Sequence, residues 1–214
     1  ELKYIKDWRK KQTKPFSQGD INQLKNLSNA IDNLWKRHIE MLSEIRERTE
    51  DEYPLFGQEP PDSNRTLLTT EQKDRIRAER LFTEGKNASP YRRLRLVMDY
   101  WCALWFWPIQ QTHLLPTRED WLREVSLILQ GKTFEGGIPE GEARDLFHDY
   151  EPQQQALKFE DEFGYIDLDG LIKENERLTL IQQLAQRYKF HHWELEFADL
   201  FEKRGGFDLI LGNP

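Results

Sequence analysis

A chain of 214 residues is long enough for one large or two small domains and can bury a sizeable core. Its 31 basic and 38 acidic residues leave a net charge of −7, which argues against a surface that binds DNA non-specifically by phosphate neutralisation. Seven Trp and twelve Phe argue against disorder, and the single cysteine, Cys102, excludes an internal disulfide and suits a reducing cytoplasm.

Residues 1–18 interleave Lys3, Lys6, Arg9, Lys10 and Lys11 with Tyr4, Ile5 and Trp8. This pattern reads either as a nucleic-acid arm with a stacking tryptophan or as the tail of an element whose partners lie upstream. Asp20 is a good helix N-cap. Beyond it Ile21, Leu24, Leu27, Ile31, Leu34, His38, Leu42 and Ile45 recur at three- and four-residue steps. That stripe predicts one long helix in a hairpin or coiled-coil-like arm, with His38 as a packed core histidine.

Residues 53–69 are rich in turn formers and read as a linker. Pro61-Asp62 followed by Glu71-Gln72-Lys73 matches the letters of a metal-dependent nuclease signature. That chemistry needs Glu and Lys on a strand, whereas Thr69-x-x-Gln72 has the form of a capping box opening a helix. The helix should run from about Thr70 to Glu84.

Ser89-Pro90 caps the next helix, whose Leu94, Val97, Met98, Trp101, Ala103, Leu104 and Trp105 predict a central element buried nearly all round. Arg92, Arg93 and Arg95 crowd its N-terminal end, where the helix dipole disfavours cations; they read as a solvated face or as the seat of a phosphate or acidic partner. Pro116-Thr117 opens a helix that Gly131 stops. A Gly/Pro loop covers 131–141 and an acidic helix 142–163, where Glu160-Asp161-Glu162 reads as a solvated face in preference to a cation site. A last long helix is expected from Asp169 to Tyr188. After it Trp193, Leu195 and Phe197 alternate with Glu194 and Glu196, the period of a half-buried strand.

His191-His192 lacks metal-ligand spacing, so no metal is expected. The longest uncharged apolar stretch, Tyr100 to Ile109, is about half a membrane span, so no membrane segment is expected and the location expected is the cytoplasm. The chain closes on Gly205-Gly206-Phe207-Asp208-Leu209-Ile210-Leu211-Gly212-Asn213-Pro214. Phe207–Leu211 reads as a strand buried on both faces, and ligand chemistry in α/β sheets gathers beyond the carboxyl ends of such strands.

Gly212-Asn213-Pro214 after this apolar run resembles the opening of the (Asp/Asn/Ser)-Pro-Pro-(Tyr/Phe/Trp) motif of amino-DNA methyltransferases, which methylate the exocyclic amine of adenine or cytosine. His191–Phe197 with Asp199-Leu200-Phe201 resembles the large adenine-specific type IIG restriction-modification enzymes. Tyr100–Pro108 is similar to a helix upstream of the motif in the same proteins. The motif's second proline and aromatic are not in the sequence, nor is any G-x-G of a glycine-rich cofactor loop. A segment of a longer methyltransferase is therefore expected, inactive by itself.

The helical spacing along the chain predicts a mainly α fold, which the resemblance places within a longer enzyme. Residues 1–190 form a helical insertion with a long helical hairpin, and residues 191–214 contribute one or two β-strands to an α/β methyltransferase sheet. The resemblance implies S-adenosylmethionine as cofactor, bound outside this segment, and duplex DNA with a flipped target base as partner, in a restriction-modification or phage-defence system. Asn213 and Pro214 are the implied catalytic residues. The Asn213 side-chain carbonyl and the neighbouring backbone carbonyl, held by the fixed φ of Pro214, accept the amine hydrogens and favour a pyramidal, nucleophilic nitrogen. The alternatives are a helical DNA- or protein-binding module without catalysis and, for Gly-Asn-Pro, an ordinary turn after a strand.

Overall fold

The computed structural model describes residues 2–51, 56–57, 68–79, 81, 88–131 and 166–212. Readings made for Pro61-Asp62, for 132–163 including Glu160-Asp161-Glu162, and for Asn213 and Pro214 lie outside the described residues. Nine α-helices and one 3-10 helix make up the described residues, with no strand among them, so the protein is mainly α. The helices are α1 (Leu2–Gln12), α2 (Gln18–Thr49), α3 (Thr70–Ala78), α4 (Pro90–Ala103), α5 (Arg118–Gln130), α6 (Leu168–Glu174), α7 (Glu176–Tyr188), α8 (Trp193–Glu196) and α9 (Ala198–Arg204); the 3-10 helix is Ile109–Leu114.

Local chemistry sets the ends. The N-cap of α2 is Ser17, three residues before the expected Asp20: the Ser17 hydroxyl accepts from Asp20 N at 3.1 Å, and the Asp20 carboxylate accepts from Ser17 N at 2.9 Å. Thr69 with Gln72 and Thr117 with Asp120 repeat this reciprocal box at α3 and α5. Glu71-Gln72-Lys73 is thus the first turn of a helix, where nuclease geometry is impossible. Gly131 ends α5 at φ 74°, and a Cβ there would meet Ile166 Cγ1 at 2.6 Å, so both conformation and space demand glycine.

Two helices organise the packing. The 32 residues of α2 form a spine about 48 Å long, against which α3, α4, α5 and α9 lie. At the centre is α4, which meets α2, α5, α7 and α8. Tyr100, Ala103, Ile128, Leu178, Ile181 and Leu195 are fully buried in the shared core. Burial of each large apolar side chain contributes roughly 1.5–3 kcal/mol.

A charged cluster crosses this core. Glu124 of α5, almost fully buried, accepts from Tyr100 Oη at 2.5 Å, from Asn175 Nδ2 at 3.1 Å and from the Arg177 guanidinium. Arg177 Nε also donates to the Leu114 carbonyl at 2.6 Å. Burial and the adjacent Glu124 charge raise the Tyr100 phenol far above its ordinary range.

Several expectations are corrected. α2 packs against the nine-residue α3 that follows it and shares the rest of its buried face with α4, α5 and α9. α4 is covered nearly all round as expected, with Trp101, 59% exposed, its one exposed residue; Trp105, expected in the core, is 76% exposed, while Leu104 is partly buried against the core. The helix ends at Ala103, so Trp105 falls beyond the register that would have turned it inward. The long helix expected over 169–188 is two, because the Asn175 side chain accepts from Arg177 N and Leu178 N and so starts α7 afresh.

The half-buried strand expected over 193–197 is also helical. Leu195, Ala198 and Asp199 are the buried residues of α8 and α9, at three- and four-residue spacing. The run 207–211 forms no strand within the described residues: Leu209, Ile210 and Leu211 are 73%, 74% and 86% exposed, with no neighbouring strand to receive their backbone groups.

Candidate functional site

Asn213 and Pro214 lie outside the described residues, but the segment leading to them is described up to Gly212. Three polar ties hold it to the long helices. His192 Nε2 is 2.7 Å from Asp99 Oδ1 of α4, both side chains being nearly buried. On α2, the fully buried His38 donates from Nε2 to the Leu195 carbonyl at 2.7 Å. A carbonyl only accepts, so Nε2 carries the proton and Nδ1 is left as a buried acceptor without a partner. Burial, partly offset by the bond to Leu195, lowers the His38 pKa from its ordinary 6.5 and keeps the ring neutral.

The third tie is a fork. Arg46 of α2 donates through Nε to Asp199 Oδ2 at 2.5 Å and through Nη2 to Oδ1 at 2.9 Å. Burial alone would push the Asp199 carboxyl up; the hydrogen bond and charge of Arg46 outweigh it and hold the group below its usual value. Beside these ties, Glu196 accepts from Tyr91 Oη at 2.5 Å and from Arg77 Nη2 at 3.0 Å. The Tyr91 hydroxyl is pushed up to about 12, first by burial and then by its bond to Glu196.

An aromatic clamp completes the segment. Phe207, first residue of the apolar run, has its ring centroid 6.0 Å from Trp193, 5.0 Å from Phe197 and 5.6 Å from Phe201, edge-on to each. Gly205 at φ 76° and Gly206 at φ 141° let the chain reverse out of α9 so that Phe207 reaches these rings. Beyond it the chain leaves the clamp into solvent. The site therefore aims a short apolar segment from a fixed point, and the described residues place no nucleophile or acid–base pair around it.

The sequence reading put His38 in the core, where it is, but gave it no partner. It missed Asp99 and Arg46, and it named Asp199 only within the resemblance, without a partner. A signal was available: Asp99 interrupts the apolar stretch Leu96–Trp105, and Asp199 sits between Ala198 and Leu200, where a buried carboxylate requires a cation or donors. The arginines at the start of α4 are spent inside the molecule. Arg92 pairs with Asp169 at 2.6 Å, Arg93 Nε donates to the Ile128 carbonyl at 3.0 Å, and Arg95 Nη1 donates to Tyr91 Oη at 2.8 Å. They form neither a phosphate seat nor a purely solvated face.

With this geometry in hand, the chain was compared with family models, curated proteins and solved structures, and nothing matches. Among the described residues no helix is long and apolar enough to cross a membrane, and no group of three or more His, Cys, Asp or Glu is placed to hold a metal ion.

The described glycines do not make a cofactor cradle. Gly19 and Gly170 are inside helices, Gly131 faces Ile166, Gly205-Gly206 serve the reversal after α9, and Gly57 and Gly212 stand alone with no atom within 4 Å of where a Cβ would sit.

Proposed function

We propose that this chain is the helical segment of an adenine-specific amino-DNA methyltransferase, in which α8, α9 and the Phe207 clamp present the run 207–211, and with it Asn213 and Pro214, toward a flipped target base. The observation that carries the reading is the state of that run. Its sequence is that of a strand buried on both faces, yet Leu209, Ile210 and Leu211 stand in water after a rigidly held start. Covering them between strands would add roughly 1.5–3 kcal/mol per side chain, so the run suits a sheet edge. The residues that follow it match the opening of the catalytic motif letter by letter.

In this reading the Asn213 carbonyl accepts a hydrogen bond from the target amine, Pro214 fixes the adjoining carbonyl, and the methyl donor is held by residues other than those described. The test is methyl transfer from tritiated cofactor by an enzyme that contains this segment together with a cofactor-binding half. Asn213→Ala should lower turnover on the order of a hundredfold or more while the protein stays folded. Asn213→Asp, which keeps an acceptor, should retain part of the activity. Near-normal turnover in folded Asn213→Ala overturns the assignment and leaves a binding module without catalysis.

A further inference from the structure

We propose that the groove between α1, α2, α4 and α5 binds a single strand of DNA, with an unpaired base stacked among its tryptophans and the phosphates lying along α1. α1 is a fixed wall of this groove. Trp8 Nε1 donates to the Pro116 carbonyl at 2.6 Å, Gln12 Nε2 donates to the same oxygen at 2.8 Å, and Arg118 donates to the Gln12 and Pro15 carbonyls at 2.8 and 3.0 Å. The cavity so enclosed measures about 480 Å³ and is lined by Trp8, Phe16, Trp101, Leu104, Trp105 and Trp121. That volume falls within the roughly 300–1,000 Å³ of ligand sites. A second cavity of about 650 Å³ shares Trp8, Gln12 and Arg118 with the first and adds Lys11 and Lys14 beside the carboxylates of Asp7, Asp20 and Glu119, so the phosphates are placed on the lysine side along α1 and outside this cavity.

Two independent features define the ligand. The first is the state of the indoles: Trp8, Trp101, Trp105 and Trp121 are in contact with no other ring, and Trp101 and Trp105 are largely exposed. Trp8 and Trp121 are partly buried walls of the cavity, Trp121 packing against the core, and the exposed indoles of Trp101 and Trp105 are the stacking platforms for a planar partner. The second is charge. Lys3, Lys6, Arg9, Lys10, Lys11 and Lys14 are all exposed, and none forms an ion pair or a side-chain hydrogen bond within the described residues. Asp7 is the one acidic residue interspersed with them.

A row of unpaired cations beside an aromatic groove repels a cationic ligand and attracts a chain of phosphates carrying flat, unstacked bases. Duplex DNA hides its base faces and cannot use the indoles. The net charge of −7 opposes binding elsewhere on the surface, so binding is confined to this face. That the strand is DNA rests on the methyltransferase reading.

The test is tryptophan fluorescence of the 214-residue chain at low salt, titrated with an oligothymidylate of about ten nucleotides, the same sequence as duplex, thymidine monophosphate, an oligouridylate and polyglutamate. The single-stranded DNA should quench and bind most tightly. Trp105→Ala, which removes an exposed ring, should keep the circular dichroism spectrum and weaken binding roughly tenfold. Lys6→Gln with Lys10→Gln should weaken it further and lower the slope of log affinity against log salt by about 0.7 for each phosphate no longer neutralised.

Absence of quenching, equal binding of the duplex, tighter binding of the oligouridylate, competition by polyglutamate at matched charge, or unchanged affinity in Trp105→Ala each overturns the proposal. The measurement needs neither cofactor nor methyl transfer, so its failure is separable from failure of the Asn213 assay.

Discussion

Two aromatic clusters in this protein are built on opposite terms. Around Phe207, the rings of Trp193, Phe197 and Phe201 lie within 6.0 Å of its centroid, and the nearby charges Arg46 and Asp199 are joined in a fork. Around the α1 groove, the indoles meet no other ring and the lysines meet no carboxylate. Composition alone does not separate the two, since each is rich in Trp, Phe and charge. The difference lies in whether the groups satisfy one another. Where they do, their interactions contribute to the fold; where they do not, their interaction energy is still available to a partner.

The largest break in this contrast should come from Arg46→Ala. It strands the fully buried Asp199 carboxylate and should cost about 3 kcal/mol, the lower end for a broken buried pair because Arg46 is itself part-exposed. Urea unfolding at neutral pH measures it; a change below about 0.5 kcal/mol would show that the fork is ornamental. Trp193→Ala removes the ring packing against His191, Phe197 and Phe207 and should cost about 1–2 kcal/mol in the same assay.

His38 gives the contrast a pH signature. Its folded pKa lies below 6.5, so the unfolded chain takes up a proton first as pH falls. The stability held by the neutral ring is complete above 6.5 and declines from there toward the lower folded value, with a slope of up to about 1.4 kcal/mol per pH unit. Unfolding midpoints at a series of pH values should show this decline in the native protein and lose it in His38→Gln. Smallest of all should be Trp105→Ala, within about 0.5 kcal/mol of the native protein, since that indole is 76% exposed and touches no ring. A larger loss would place Trp105 with the self-satisfied cluster and undo the comparison.

What the sequence made legible was mostly local. Ser89-Pro90, Thr117 with Gly131 and Thr69 with Gln72 mark helix ends because a cap needs only neighbouring residues. The inward stripe of α2 was equally plain, since Leu27, Leu34, Leu42 and Ile45 repeat at helical spacing. The errors arose where distant residues decide. Alternation of Trp193, Leu195 and Phe197 over five residues suits a strand as well as a short helix, and the bond from His38 to the Leu195 carbonyl helps fix the helix. Trp101 and Trp105 look like core by hydrophobicity, yet α2, α5 and α7 decide which positions of α4 are covered, and Trp105 lies past the end of that helix. For the candidate site, the lead-in could be located from its apolar run, but its anchors Asp99, Arg46 and Asp199 pair across at least 90 positions of chain.

The spine α2 also acts as a ruler. Leu24 lines the tryptophan groove near one end of it, and Arg46 holds α9, and hence the exit of Phe207, near the other. Between these two residues the helix advances about 33 Å at 1.5 Å per residue. That is close to the length of ten base pairs of B-form duplex at about 3.4 Å each. Because a helix packed against α4 and α5 neither stretches nor slides, a rigid duplex that touches both ends must match that spacing, and one shorter than a full turn can reach only one of them.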